Sequence, residues 1–229
     1  MTALLNILKN DDLSGLVSII QNEDLSYDSV FRLRSIRVPD ILKREPTLVC
    51  ATAFFGATKC FRYLFSNAAN LDLKDSLGRN ITHFACAGGN DEILNILYLN
   101  NFSFNLVDVS GNTCVHYAVM YHRINVVYWL WSVIGESLST VNKHGISPLH
   151  IAVLNEEVGI LEFLCQNGCN INQRNDLGET PLHFAAKKSN GDVVWRLLKN
   201  GADVTLKDNV GCMPYQCATF QHIQSILIA

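Results

Sequence analysis

Residues 177–186 read Leu177-Gly178-Glu179-Thr180-Pro181-Leu182-His183-Phe184-Ala185-Ala186, and related segments recur along the chain. Aligning these segments on their shared glycine gives five positions: Gly78, Gly111, Gly145, Gly178 and Gly211. The spacing between successive glycines is nearly constant, with one interval longer than the others by a single position. A fixed period in this range indicates a solenoid, in which similar supersecondary units stack on one another.

The repeated segment resembles the ankyrin repeat, whose pattern is Asp-x-x-Gly-x-Thr-Pro-Leu-His-x-Ala-Ala. The copy at 177–186 matches nearly in full, and the segment that follows it, Val193 to Val204, matches too. Moving the frame back by one more period finds a further copy, with Glu45 in the glycine column and Cys50 in the histidine column. The resemblance therefore covers about residues 45–229, in six repeats.

This resemblance implies an all-α ankyrin-repeat solenoid of stacked helix-turn-helix units with β-turn fingers. The expected repeats are approximately 45–74, 75–107, 108–141, 142–174, 175–207 and 208–229. Residues 1–44 lack the pattern, but they carry apolar residues at helical spacing, including Leu4, Leu8, Leu16 and Ile20. We expect residues 1–44 to form a divergent helical cap over the first repeat. A third helix is predicted there from Val30 to Arg37.

Residue types in three other columns predict the local structure of each unit. A side chain three positions before the glycine can hydrogen-bond to the turn backbone; this column holds Asp75, Asp108, Asn142, Asn175 and Asp208. The column two positions after the glycine suits a helix N-cap; it holds Asn80, Thr113, Ser147 and Thr180. Proline at the first helical position loses no amide partner; it occurs at Pro148, Pro181 and Pro214.

The bulk composition excludes several classes of protein. The 229 residues are 48% hydrophobic with a formal charge of −3, so nothing favours a nucleic-acid partner. The longest apolar stretch, Val126 to Ile134, is too short to span a membrane, and the first residues do not resemble a signal peptide. Most of the eight cysteines occupy apolar or small columns of the repeat, so we expect reduced thiols in an intracellular, cytoplasmic protein.

The histidines and cysteines do not predict catalysis or a metal site. His83, His116, His150 and His183 occupy one column, and packed helices about 8–10 Å apart cannot share a zinc ion whose bonds are about 2 Å long. Hydrogen bonding to the adjoining turn is the better interpretation. Cys165-x3-Cys169 and Cys212-x4-Cys217 lack a matching second pair. We therefore expect no catalytic residue, no metal and no cofactor, and we do not predict an enzyme.

One basic run has two interpretations. Five cations lie within 13 positions, and such a run is more often a solvated helix face than a docking site for an acidic peptide or a phosphate. They are Arg32, Arg34, Arg37, Lys43 and Arg44.

The resemblance implies a non-enzymatic module for protein–protein interaction, which binds a protein partner through its concave finger and first-helix surface. The family's variable contact positions on the fingers correspond to Ser76, Leu77, Arg79, Val109, Ser110, Asn112, Lys143, His144, Ile146, Asp176, Leu177 and Glu179. Those at the ends of the first helices correspond to Phe54, Phe55, Ala87, Gly88, Met120, Tyr121, Leu154, Asn155, Lys187 and Lys188.

The first helices end in apolar residues early in the array and in lysines at Lys187-Lys188. We expect the partner to contact this apolar strip, centred on the first three or four repeats and formed by Phe54, Phe55, Met120, Tyr121 and Leu154. The alternative for Phe54 and Phe55 is burial under the N-terminal helices, because the first finger lacks its glycine.

An alternative function belongs to a different class of protein. The chain ends in an apolar segment, with Ile223, Ile226, Leu227 and Ile228. Such an end suits a structural spacer or self-association module within a longer chain. We expect a monomer, and self-association through the C-terminal end is the alternative.

Overall fold

A computed structural model describes residues 2–23, 25–30, 39–67 and 69–228. In these ranges the regular elements are helices, with one isolated antiparallel bridge between Val30 and Thr47. The chain forms two compact units, Met1–Val109 (unit 1) and Ser110–Ala229 (unit 2). The all-α repeat fold is confirmed. The helix predicted from Val30 to Arg37 lies, from residue 31 onward, outside the described residues, as do the arginines at 32, 34 and 37 of the basic run.

Unit 1 contains six α-helices and a short 3₁₀ helix, Asp40–Lys43, among its described residues. The helices are α1 Thr2–Lys9, α2 Leu13–Asn22, α3 Leu48–Phe55, α4 Thr58–Ser66, α5 Ile81–Gly88 and α6 Asp91–Leu99. They stack in two rows: α1 packs on α3 and α3 on α5, while α2 packs on α4 and α4 on α6. The N-terminal helix pair thus occupies the place of a further repeat.

The N-terminal helix pair is joined to the first repeat by polar as well as apolar contacts. Asp11, in the turn between α1 and α2, accepts hydrogen bonds from the amides of Lys59 (2.9 Å) and Cys60 (3.0 Å) at the start of α4. Leu8 and Leu16 are fully buried. A carboxylate at this position satisfies amides that have no partner inside the helix.

Unit 2 contains eight α-helices among its described residues, 110–228. They are α7 Cys114–Met120, α8 Ile124–Trp129, α9 Pro148–Leu154, α10 Val158–Gln166, α11 Pro181–Lys188, α12 Gly191–Lys199, α13 Pro214–Cys217 and α14 Gln221–Ile228. The first helices of successive repeats, α7, α9, α11 and α13, pack in sequence. In the C-terminal segment Ile223 and Leu227 are buried, while Ile226 and Ile228 are exposed.

The single longer interval between glycines has a structural cause in unit 2. Helix α8 continues as a π-helical turn, Leu130–Ile134, which ends at Gly135 with φ +81°. Leu130 lies one regular period after Leu97, the corresponding residue of the preceding repeat. Gly135 corresponds to the left-handed residue Asn101 of that repeat, but the distance between them is one period plus one position. A π-helical turn holds one extra residue without breaking the helix. The insertion is therefore absorbed inside this turn.

The local predictions are confirmed. Helices α5, α7, α9 and α11 begin after the N-cap residues Asn80, Thr113, Ser147 and Thr180. The prolines at 148, 181 and 214 are the first residues of their helices. Asn142, three positions before its glycine, hydrogen-bonds to the turn backbone as predicted. Its side-chain oxygen accepts from the amides of His144 (2.9 Å) and Ile146 (3.0 Å).

Candidate partner-binding surface

The β-turn fingers of unit 2 form a hydrogen-bonded row. The amide of Lys143 donates to the carbonyl of Ser110 at 2.8 Å, and the amide of Asp176 donates to the carbonyl of His144 at 3.0 Å. The amide of Asn209 continues the row by donating to the carbonyl of Leu177 at 2.9 Å. Because backbone groups hold the fingers together, the side chains of Lys143, His144, Asp176 and Leu177 remain exposed at the surface.

Buried histidines tie three first helices of unit 2, α7, α9 and α11, to the following finger. The Nε2 atom of His150 donates to the carbonyl of Glu179 at 3.2 Å, so its Nδ1 atom accepts from the amide of Ser147 at 3.2 Å. Burial lowers the pKa of His150 to about 4 despite this hydrogen bond. His116 and His183 make the equivalent bonds to the carbonyls of Ile146 and Cys212. For these three histidines the interpretation as structural residues that bond to the adjoining turn is confirmed.

The first helices of unit 2 leave apolar side chains exposed at their C-terminal ends. Met120 is 37% exposed and Leu154 is 40% exposed. The side-chain amide of Asn155 donates to the carbonyl of Met120 at 3.3 Å, which joins the ends of α7 and α9. A groove of about 380 Å³ continues from this place, lined by Leu154, Glu179, Phe184, Lys187 and Lys188.

Two lysines with different partners form the rim of this groove. Lys187 forms an ion pair with Glu179, whose other carboxylate oxygen accepts from Asn175 at 3.1 Å. Burial alone would raise the pKa of Glu179, but the hydrogen bonds from Lys187 and Asn175 lower it overall. Lys188 lies 4.0 Å from Glu156, and both side chains are largely exposed. The rim therefore presents ammonium groups beside an apolar floor made by Leu154 and Phe184.

Arg79, which the repeat pattern places at a finger contact position, is buried in unit 1. It is 4% exposed. Its Nε atom donates to Asp75 at 2.7 Å, its Nη2 atom donates to the carbonyl of Ile41 at 2.5 Å, and its guanidinium lies over the Phe84 ring. This residue joins the 3₁₀ helix to the finger, so its side chain is not presented to a partner.

The first-helix ends of unit 1 are also largely covered. Phe54 is 9% exposed and Phe55 is half-buried, with their ring centroids 5.4 Å apart. This burial favours the alternative interpretation for Phe54. Ala87 is fully buried. A side chain at Gly88 would place its Cβ 2.5 Å from the carbonyl oxygen of Ala53, so α5 and α3 approach closely there.

The predicted contact positions divide into three groups by exposure. The exposed positions are Ser76, Val109, Met120, Lys143, His144, Leu154, Asp176, Leu177, Lys187 and Lys188. The half-buried positions are Phe55, Leu77, Gly88, Ser110, Asn112, Tyr121, Ile146 and Asn155. The buried positions are Phe54, Arg79, Ala87 and Glu179.

Phe184 lines the groove but was not among the predicted contact residues. Its ring packs edge-on against the His150 ring with centroids 5.1 Å apart. The sequence does contain a signal for it, because residues three and four apart share a helix face, and Lys187 and Lys188 follow at these spacings. The aromatic ring therefore belongs to the same surface as the two lysines.

One group of potential metal donors occurs in the described part of the chain. Donor atoms of His183, Asp208 and Cys217 lie within 4.8 Å of one another. However, Nε2 of His183 donates to the carbonyl of Cys212 at 3.1 Å and its Nδ1 accepts from the Thr180 amide. Both ring nitrogens are thus used as they are in His150. The arrangement repeats the structural histidine column and does not leave His183 free as a ligand.

No helix among the described residues is long and apolar enough to cross a membrane. A family model of ankyrin repeats in three copies matches residues 48–140 and 131–208. Among solved structures, the ankyrin repeat domain of Bcl-3 aligns with a TM-score of 0.69 and 24% identity, covering 100% of this chain and 99% of that one. At this identity the match shows the shared fold.

Several curated proteins are similar over part of their length. The ankyrin repeat protein FPV034 of fowlpox virus is 30% identical over 97 residues, which is 42% of this chain and 22% of that protein. The nuclear factor NF-kappa-B p105 subunit of Gallus gallus is 26% identical over 148 residues, or 63% of this chain and 14% of that protein. Tankyrase, a poly(ADP-ribose) polymerase of Caenorhabditis elegans, is 26% identical over 206 residues, which is 77% of this chain and 9% of that protein.

The chain spans less than a quarter of the length of these relatives. The family model, in contrast, matches most of this chain, from residue 48 to residue 208. The matched residues include all the columns that build the fingers and the first helices of the central repeats. The chain belongs to the ankyrin repeat family.

Proposed function

We propose that the chain is a non-enzymatic module that binds a protein partner through the finger and first-helix surface of unit 2. The ankyrin repeat fold is typical of protein-interaction modules. The observation that supports this surface is the groove beside Leu154 and Phe184, which combines an apolar floor with the ammonium groups of Lys187 and Lys188.

The apolar side chains on this surface suit the centre of an interface. Leu154 and Met120 are partly exposed at the helix ends, and Leu177 is 64% exposed on a finger. A few exposed apolar anchors surrounded by polar residues usually contribute most of the affinity of a protein interface. Glu179, a buried member of the predicted set, holds the ammonium group of Lys187 at the rim through their ion pair.

The polar rim favours a particular kind of partner segment. An apolar side chain of the partner would lie against Leu154 and Phe184, where it loses contact with water. A carboxylate next to that side chain would lie near Lys188, whose nearest acidic group, Glu156, also accepts a hydrogen bond from Asn190. We therefore propose a segment that carries an apolar residue beside an acidic one.

The experiment compares two exposed apolar residues of unit 2, one on a first helix and one on a second helix. Leu154→Ala removes an anchor of the groove, whereas Tyr128→Ala removes a more exposed side chain on the second helix of its repeat. Wild-type and variant proteins are immobilised, and proteins captured from the source cell are identified and titrated. We expect Leu154→Ala to weaken binding of the captured partner by about 2 kcal/mol, and Tyr128→Ala to leave it unchanged.

Circular dichroism and thermal unfolding of both variants establish that the fold is retained. If Tyr128→Ala abolishes binding while Leu154→Ala does not, the partner contacts the second-helix side and the proposed surface is wrong. A further variant, Lys188→Glu, tests the acidic residue of the partner: it should weaken binding more at low salt than at high salt.

We also propose an intracellular, cytoplasmic location. All eight cysteines are free thiols, and Cys50, Cys60, Cys86 and Cys114 are buried in the repeat core. Burial raises the pKa of Cys50 to about 12, so this thiol stays protonated. Free, packed thiols are typical of proteins in reducing compartments. Fractionation of the source cells should recover the protein in the cytosol, and its recovery in the secreted fraction would contradict the proposal.

A further inference from the structure

A cavity of about 410 Å³ lies between two loops of unit 1. One loop joins α4 to α5, and the other follows α6. Leu71, Phe102 and Leu106 form the apolar wall of the cavity, and Asn80 and Asn100 supply polar groups to it. A volume of this size is typical of binding sites for small ligands and short segments. The cavity shares no lining residue with the groove of unit 2.

Asn80 brings a buried amide group to this cavity. The residue is 6% exposed, and its Oδ1 atom accepts from the Thr82 hydroxyl at 2.8 Å and from the backbone amide of His83 at 3.4 Å. A backbone amide can only donate, so the atom that it contacts is the oxygen. The Nδ2 group carries two N–H donors and makes no hydrogen bond to any residue in the described ranges. Such a donor favours a ligand that carries an acceptor.

The Nδ2 group of Asn80 is not needed for the helix cap. In unit 2 the same N-cap position is occupied by Ser147 and Thr180, whose hydroxyls contact the Nδ1 atoms of His150 and His183 at 2.8 Å. A single side-chain oxygen is sufficient to cap a helix. The second polar atom of Asn80 is therefore available for another role.

Asn100 supplies the complementary acceptor. Its Nδ2 atom donates to the Ile96 carbonyl at 2.7 Å, which fixes the orientation of the side-chain amide and leaves Oδ1 as an acceptor. The charged lining residues, Asp72 and Lys74, are exposed and opposite in sign, so they favour a neutral ligand. A donor and an acceptor beside an apolar wall suit a peptide group, which has one carbonyl and one N–H, next to an apolar side chain.

We propose that this cavity is a further binding site, which takes an extended peptide segment of a protein partner. A backbone carbonyl of the segment accepts from Nδ2 of Asn80, and a backbone N–H donates to Oδ1 of Asn100. An apolar side chain of the segment packs against Phe102 and Leu106, where it loses contact with water. This site selects a neutral segment, whereas the groove of unit 2 favours an acidic residue. It does not depend on the function proposed for that groove.

Titration of the isotope-labelled full chain with a neutral capped tripeptide, acetyl-Ala-Leu-Ala-amide, tests the site. Nuclear magnetic resonance follows the side-chain NH₂ signal of Asn80, which is assigned by its absence in Asn80→Ser. We expect a saturable shift of this signal at millimolar peptide. Acetylleucinamide has the same apolar side chain and a shorter backbone. Binding of this compound without binding of the tripeptide would show that the cavity takes a small molecule, and it would overturn the assignment to a peptide.

Variants at Asn80 test the donor itself, with binding followed through the methyl groups of Leu106. Asn80→Asp keeps the capping oxygen and replaces the donor with an acceptor, so we expect about tenfold weaker binding. Asn80→Ser reproduces the cap of Ser147 and should lose binding to a similar extent, which keeps the test valid if the aspartate variant does not fold.

The matched control is Asn90→Asp, which changes another N-cap asparagine of unit 1. Nδ2 of Asn90 donates to the Gly56 carbonyl at 3.2 Å, and the residue does not line the cavity. This variant should bind the tripeptide as tightly as wild type, and thermal unfolding establishes that each variant is folded. The proposal is overturned if the tripeptide causes no saturable shift at Asn80, as expected for an amide that bonds only to water, or if the folded Asn80 variants bind as tightly as wild type.

Discussion

At the scale of the residue, one turn position shows how the backbone constrains residue choice. The turn between the two helices of a repeat contains a left-handed residue, which is Gly56 or Gly89 in unit 1. In unit 2 the corresponding residues are His122, Glu156 and Ser189, each with φ near +60°. A side chain in this conformation costs about 1–2 kcal/mol relative to glycine. At this turn the later repeats therefore contain strain that the earlier ones lack.

Replacing Ser189 with glycine should stabilise the protein. Glycine relieves the left-handed strain at φ +58°, and its greater freedom in the unfolded chain offsets part of the gain. The lost hydrogen bond from the Ser189 hydroxyl to the Ala186 carbonyl is long, at 3.3 Å. We expect the free energy of unfolding to rise by about 0.5–1 kcal/mol in urea titrations. Gly89→Ser, the converse change, should lower it, and a rise in that control would contradict the explanation.

His150 makes stability depend on pH. Its pKa is about 4 in the folded state against a usual 6.5, so the unfolded chain binds a proton more readily. The stability that His150 contributes in its neutral form is fully present above pH 6.5 and is lost as pH falls from 6.5 through 4. It amounts to about 3 kcal/mol at most. Urea unfolding at pH 7 and pH 5 should therefore show a clear loss of stability at the lower pH.

A variant isolates this histidine from other titrating groups. Gln216 occupies the histidine column in the last repeat, where its side-chain oxygen accepts from the amide of Met213 at 2.8 Å. His150→Gln should preserve the equivalent bond to Ser147 without a group that titrates. We expect the variant to lose less stability than wild type between pH 7 and pH 5. Equal losses would assign the pH dependence to other residues.

At the scale of the element, the N-terminal helix pair stabilises unit 1 through one carboxylate as well as through apolar packing. Asp11 caps α4 although it belongs to the turn between α1 and α2. The proposal that residues 1–44 form a cap rests on this contact and on the burial of Leu8 and Leu16. Because α4 has Ala57 at its own N-cap, which makes no side-chain hydrogen bond, the carboxylate has no local substitute.

Removing this carboxylate should destabilise unit 1. Asp11 has φ +50°, so Asp11→Gly removes the acceptor without adding backbone strain. We expect a loss of about 1–2 kcal/mol in chemical denaturation, the usual effect of losing a helix cap. Asp11→Asn keeps an acceptor and tolerates the left-handed conformation, so it should lose less. If the glycine variant is as stable as wild type, the helix pair does not depend on this contact.

At the scale of the whole molecule, the expected state is a monomer. Ile223 and Leu227 are buried against the helices of unit 2, so only Ile226 and Ile228 of the apolar C-terminal segment remain exposed. Light scattering should give a mass close to 25.5 kDa. A doubled mass that returns to the monomer value in Ile228→Asp would instead support self-association through the C-terminal end.

The repeat fold and much of its local structure followed from the sequence, because they depend on residues close together in the chain. Gly145 is needed for a turn, Ser147 caps the helix that follows it, and Pro148 begins that helix. These effects act over a few positions and recur at a constant period. The same reasoning placed the exposed residues Met120 and Leu154 on the candidate surface.

Only the tertiary structure decided which finger residues could reach a partner. Arg79 and Glu179 share a column with Asn112, which is half-buried, yet both are buried themselves. Arg79 is held by the carbonyl of Ile41, far earlier in the chain, and Glu179 by Lys187 on the next helix. The burial of a side chain depends on such contacts with other elements, whereas the period of a repeat does not. The sequence therefore determined the array and its columns, and packing between distant residues determined which members of each column are exposed.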